Sequence, residues 1–141
     1  MSRLEAPPLL VMEGIVKSFG PVRANDGASL QVEEGSIHAL VGENGAGKTT
    51  LMNVLFGLLA PEAGQIFLRG QRILFRHPRE AMEAGLGMVH QHFTLVPPFT
   101  ALENVALGLA GRGLWLNLAE VRRRLEALQE EVGLEVPLEV P

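Results

Sequence analysis

Apolar residues in this chain fall into short runs whose spacing switches between the period of a strand and that of a helix. Leu9 to Val16 is apolar and partly alternating, and Ala28 to Val32 repeats the pattern after the turn-prone Asn25-Asp26-Gly27. Together they predict two strands of a small sheet. Ser36 to Val41 is short and mostly apolar, the pattern of a strand buried on both faces of a parallel sheet. It runs straight into a glycine-rich stretch. Lys48 to Leu59 then carries Leu51, Val54, Leu55, Leu58 and Leu59 at the spacing of a helix with one buried face, and Pro61 stops it.

Further along, Gln65 to Leu68 and Arg72 to Phe75 flank Arg69-Gly70-Gln71, which predicts a hairpin or a pair of adjacent strands. Pro78 opens a short helix ending near Gly85, and Gly87 to His90 reads as a brief strand before an irregular segment with Pro97-Pro98. Thr100 with Glu103 three residues later is a capping box, so a helix runs from there to about Leu109. Asn117 and Glu120 repeat that logic for a last helix. Its apolar stripe is Leu118, Val121, Leu125, Leu128 and Val132, and Gly133 is its natural stop. There is no internal repeat and no low-complexity tract.

At 141 residues and 47% hydrophobic content the chain suits one ordinary domain. Its formal net charge of -4 gives no bulk electrostatic reason to expect nucleic acid as a partner. The one dense basic run, Arg122-Arg123-Arg124, has acidic residues close behind it in a helical pattern and reads as a solvated helix face. The absence of cysteine excludes disulfides, zinc-thiolate sites and cysteine nucleophiles, and fits a reducing compartment. Met1 to Pro8 has only Arg3 as a positive charge and no apolar run suited to a signal peptide. No stretch approaches the ~18 to 20 consecutive apolar residues that a membrane-spanning helix needs. The expectation is a soluble, cytoplasmic chain that serves a membrane process only by docking to another protein.

The chemistry concentrates in Gly42-Glu43-Asn44-Gly45-Ala46-Gly47-Lys48-Thr49, which fits the pattern G-x-x-x-x-G-K-[ST]. Its glycines let backbone N–H groups turn inward around phosphate oxygens, and the helix that follows points its positive end at the same charge. Lys48 would reach the β- and γ-phosphates and Thr49 would ligate Mg²⁺ through its hydroxyl. The amides of Asn44, Gly45, Ala46, Gly47, Lys48, Thr49 and Thr50 would cradle the remaining oxygens. A glycine-rich turn that merely caps a helix is the alternative; the strand-loop-helix order favours phosphate.

With Val41-Gly42-Glu43 before it and Thr50-Leu51 after it, this loop resembles the Walker A version found in ABC ATPases. Val16-Lys17-Ser18-Phe19-Gly20 is similar to their A-loop, which assigns Phe19 to stacking on adenine; a buried core phenylalanine is the other use of such a ring. Gly87-Met88-Val89-His90-Gln91-His92-Phe93 resembles the family's Q-loop and makes Gln91 the residue that senses Mg²⁺ and the attacking water. A neutral amide suits that role, since its oxygen can ligate metal and its nitrogen can orient water. His90 and His92 have no nearby Cys or carboxylate to complete a transition-metal site. From His90 through Pro97 and on through Thr100-Ala101-Leu102-Glu103-Asn104-Val105, the chain is similar to ATPases of importers for nucleosides and simple sugars.

The resemblance covers about residues 9 to 110. It implies an α/β fold: a P-loop NTPase of ABC type, with an antiparallel N-terminal sheet, an incomplete parallel core and the start of a helical subdomain. Residues 1–110 would form the N-terminal part of the nucleotide-binding domain, with A-loop, Walker A and Q-loop, and residues 111–141 the start of the helical subdomain. The implied function is ATP binding and energy coupling in an importer, with ATP and Mg²⁺ as cofactors. Implied partners are transmembrane permease subunits, a second ATPase subunit and, indirectly, a periplasmic or lipoprotein substrate-binding protein, with no nucleic acid. The implied place is the inner face of the cell membrane.

Hydrolysis in the family also needs a Walker B aspartate, a catalytic glutamate after it, a switch histidine and a signature sequence. None is present here. The only aspartate, Asp26, precedes the glycine loop. The expectation is therefore a truncated piece of an ABC-type ATPase that by itself turns over no ATP, with Lys48 and Gln91 as its contribution to catalysis. Two other readings stay open: a non-transport ABC ATPase acting on nucleic-acid machinery, and an interaction fragment that keeps the fold without catalysis.

Overall fold

The computed structural model describes residues 7–90, 95–109 and 117–140. These fall into two compact units, the first ending at Met88 and the second beginning at Val89.

The first unit is built on a four-stranded antiparallel sheet, β1 (Leu10–Phe19), β2 (Val22–Val32), β3 (Ala63–Leu68) and β4 (Gln71–Ile73), in the order β2-β1-β3-β4. Beside it lie α1 (Lys48–Leu55) and the short α2 (Pro78–Glu83). β1 sends Leu10 and Met12 into the core, and then Ile15. That change of phase is caused by an irregularity between Met12 and Ile15, where Gly14 turns to φ 60 and donates its N–H to the Ser29 hydroxyl at 3.0 Å. Ile66 and Leu68 from β3 and Leu51 and Val54 from α1 complete the same core. The helix therefore buries Leu51 and Val54 of the face that its spacing predicted, whereas Leu58, past its end, is exposed.

Several expected boundaries move. The β1–β2 turn is Gly20-Pro21, with Phe19 and Val22 paired across it and Gly20 at φ 57. Asn25-Asp26-Gly27 makes no turn. Val16 pairs with Asp26 and Ile15 with Ala28, so Gly27, at φ 75, is the extra residue of a bulge inside β2. Helix α1 ends at Leu55 rather than Leu59. Gly57 adopts φ 74, its N–H donates to the Val54 carbonyl, and the Leu58 N–H donates to the Asn53 carbonyl, which closes the helix in a Schellman motif before Pro61 is reached. The β3–β4 hairpin forms as expected, with Arg69 and Gly70 both at positive φ.

The largest departure concerns the two segments expected to be strands of a parallel sheet. Ser36 to Val41 and Gly87 to His90 have no ladder partner among the described residues. A strand needs a hydrogen-bonded neighbour, and all four described strands pair only with one another. Ile37 is fully exposed and Val41 89% exposed, the reverse of the expected burial.

The second unit pairs α3 (Ala101–Leu109) with α4 (Leu118–Val132) around Leu102, Ala106 and Val121. The box expected at Thr100 is in place, while α4 keeps only the Asn117 half of the expected box, the Glu120 carboxylate lying on Arg123 and Arg124. Thr100 Oγ1 accepts from the Glu103 N–H at 3.2 Å while Glu103 accepts from the Thr100 N–H at 2.8 Å, and Asn117 Oδ1 accepts from the Glu120 N–H. Gly133, at φ 69, ends α4. The returning chain donates no strand but supplies the Leu138 and Val140 carbonyls to the Leu102 and Ala101 N–H groups, which have no intrahelical partner. The basic run is a solvated face as expected. Arg123 and Arg124 pair with Glu120 and Arg122 with Glu139, and Arg124, then Arg123, hold the Glu120 carboxyl below its ordinary range.

Candidate functional site

The glycine-rich loop occupies residues 42–47 and delivers the chain into α1 at Lys48. Gly45 and Gly47 both sit at φ 86, a backbone state that L side chains rarely adopt, so the loop can curl only with glycine at these positions. The Ala46 N–H donates to the Glu43 carbonyl at 3.2 Å and tightens the curl. Gly47 is the N-cap residue of α1. It brings no side-chain acceptor to the first turn, and that turn holds no acidic residue. The leading N–H groups of α1 thus keep the positive end of the helix open to an anion.

Lys48 folds back over the loop. Its Nζ donates to the Gly42 carbonyl at 2.6 Å and to the Glu43 carbonyl at 2.7 Å. An ammonium has three N–H donors, so two brace the loop and one remains for a ligand. Thr49 is exposed at the first turn with its hydroxyl available. Glycine amides, a helix N-terminus, one lysine and one hydroxyl form a donor set matched to a polyphosphate and its divalent cation. Among the described residues no cluster of His, Asp or Glu offers a separate metal site.

Phe19 closes β1 beside the hairpin turn and is 48% exposed, outside the buried core. The Lys17 ammonium lies 5.8 Å from its ring centroid. Next to it, Ser18 is clamped by Glu62, whose carboxylate accepts from the Ser18 N–H at 2.9 Å and from its hydroxyl at 3.1 Å. The Ser18 backbone N–H, above all, holds the Glu62 carboxyl below its ordinary range, aided by the Ser18 hydroxyl and the charges of Lys17 and Arg23. Gln91 lies outside the described residues.

Two contributors to the site left no trace in the sequence pattern. Asn25 is 6% exposed and its Nδ2 donates to the Gly47 carbonyl at 3.2 Å, but its neighbours Asp26-Gly27 gave the segment the composition of a turn. Glu62 acts on a residue 44 positions away, a distance that no local pattern reports.

A mixed α/β unit that presents a glycine loop and its lysine at the start of a helix has the fold of a P-loop NTPase. The chain matches the ABC transporter family over residues 25–139 and belongs to that family. It is 55% identical over 101 residues to a glucose import ATP-binding protein of Haloferax volcanii, covering 72% of this chain and 18% of that protein. It is 44% identical over 129 residues to a nucleoside import ATP-binding protein of Lactococcus lactis, covering 91% of this chain and 26% of that protein. Among solved structures it superposes on a nucleotide-free ATP-binding cassette from an ABC transporter with a TM-score of 0.80 and 28% identity, over 94% of this chain and 56% of the other. The chain thus spans about a quarter or less of the length of these curated relatives.

Proposed function

We propose that this chain carries the phosphate-binding portion of an ATP-binding, energy-coupling subunit of an importer for nucleosides or simple sugars. The observation that carries the reading is the braced lysine: two donors of Lys48 hold Gly42 and Glu43, which leaves its third donor for a ligand beside a helix start that has no side-chain cap. In this reading the amides of Asn44 to Thr50 and Lys48 bind the phosphates of ATP, Thr49 and Gln91 hold Mg²⁺, and Phe19 stacks on the adenine. Bound MgATP supplies the phosphoryl bond whose cleavage powers the cycle. The chain's own residues bind and orient it.

Residues 1–110 then form the nucleotide-binding portion and residues 111–141 the beginning of a helical subdomain. The names of the relatives support nucleosides or sugars as cargo. Partners in this reading are two transmembrane permease subunits and a second ATPase subunit, at the inner face of the membrane. In this reading the 141 residues, which hold no aspartate after Asp26, bind MgATP at most weakly and do not turn it over by themselves. Affinity capture of the tagged chain from detergent-solubilised membranes tests the assignment. Recovery of permease subunits of a nucleoside or sugar importer supports it, and recovery of ribosomal or DNA-repair components in their place overturns the transport part.

A further inference from the structure

Asn25 stands where the sheet meets the phosphate loop. In the β1–β2 ladder it pairs with Lys17, two residues from Phe19, and its side chain reaches across to Gly47, so one residue connects the strand bearing the aromatic ring to the N-terminus of α1. The ladder shifts register beside it: Lys17 pairs with Asn25 but Ser18 with Arg23, which leaves Ala24 as an extra residue. Such bulges re-aim side chains and bring backbone close to neighbouring elements. Here the Ala24 carbonyl and the Asn25 amide both press on Gly47, where an added β-carbon would lie 2.1 Å from the Ala24 oxygen and 2.7 Å from Asn25 Nδ2.

Asn25 is also the one described residue with a buried side-chain polar atom that lacks a partner. Its Oδ1 accepts nothing while its Nδ2 is used. Exchanging the two atoms would set an oxygen against the Gly47 carbonyl, so the amide orientation is fixed by that contact. An unpaired buried acceptor is a cost, and a leucine of similar size would fill the space without it. The side chain therefore does more than fill space.

We propose that Asn25 is a positioning residue: its amide fixes the Gly47 carbonyl, and with it the loop amides, at a set distance from the Phe19 strand, so that base and phosphates of one nucleotide are met together. The inference rests on the nucleotide-binding reading of the loop. Asn25→Leu removes the tether and the unpaired oxygen together, and Asn25→Asp keeps the shape but replaces the donor with an acceptor and adds negative charge beside the loop.

The test compares both variants with the unmodified chain by amide hydrogen exchange over residues 42–50, thermal unfolding, and MgATP, MgADP and AMP binding by calorimetry. The expected result is faster exchange in the loop, an unchanged or raised melting temperature for Asn25→Leu, and ATP and ADP affinity weaker by about tenfold with AMP affinity little changed. Asn25→Asp is expected to lose more. Loop exchange and ATP affinity equal to the unmodified chain in both variants overturn the proposal, as does a fall in melting temperature that tracks the loss of binding. If the unmodified chain fails to bind MgATP, the reading of the loop fails, while the exchange arm still decides whether Asn25 holds it.

Discussion

Gly47 lies so close to Ala24 that a β-carbon built on it would sit 2.1 Å from the Ala24 carbonyl oxygen. The obstacle is backbone of β2, the edge strand held to β1, and it cannot swing aside as a side chain would. Gly47→Ala should therefore displace the loop from β2 and also strain a residue held at φ 86. The strain alone is worth roughly 1–3 kcal/mol. The expected outcome is a lower urea midpoint together with loss of MgATP binding. A variant with unchanged midpoint and affinity contradicts the packing described here.

The second unit depends on its caps. Asn117 Oδ1 is the side-chain acceptor for the Glu120 N–H at the start of α4, and Asn117→Ala should destabilise that helix by about 0.5–2 kcal/mol. Asn117→Asp should retain the cap. Amide exchange in residues 118–124 would rise in the first variant and stay near the original rate in the second; equal rates in all three chains would show the cap to be idle.

The Ser18–Glu62 clamp sets an acid dependence. The Glu62 carboxyl is lowered from its ordinary value of 4.5 by the Ser18 N–H and hydroxyl it accepts from. A carboxyl whose folded pKa lies below its unfolded one stabilises the fold fully above the unfolded value and loses that contribution as pH falls through the folded one. Glu62→Gln should thus cost stability at neutral pH and flatten the decline below pH 4.5. Urea midpoints of the two chains across that range should converge in acid. Parallel curves would count against the clamp.

Ile37 and Val41 present apolar side chains to solvent on a segment with no ladder partner among the described residues. Unpaired backbone beside exposed β-branched residues is a template for association. The chain is expected to self-associate with rising concentration, and Ile37→Lys with Val41→Lys to shift it towards monomer in sedimentation experiments. A unmodified chain that stays monomeric at high concentration opposes this.

What the sequence made legible was local. The Thr100/Glu103 box and the Asn117 cap depend on residues a few positions apart and both are found, and the loop from Gly42 to Thr49 was legible as a motif in the same way, although the strand expected to lead into it did not form. Asn25-Asp26-Gly27 misled because the same composition serves a turn and a bulge, and only pairing with Val16 and Ile15 decides between them. Ser36 to Val41 misled for the complementary reason. Its apolar pattern describes a preference for burial, while a ladder also needs a neighbour. The contacts that tie the site together, Glu62 to Ser18 and Asn25 to Gly47, span 44 and 22 residues and arise from the folded sheet.

The central claim is that the loop braced by Lys48 is a phosphate site. Isothermal calorimetry of MgATP against the unmodified chain and Lys48→Ala tests it most directly. Loss of a charge-assisted bond worth about 1.5–3 kcal/mol predicts binding by the first chain and affinity weaker by roughly ten- to a hundredfold in the second. Equal affinity in both, or no heat of binding in the unmodified chain, would contradict it.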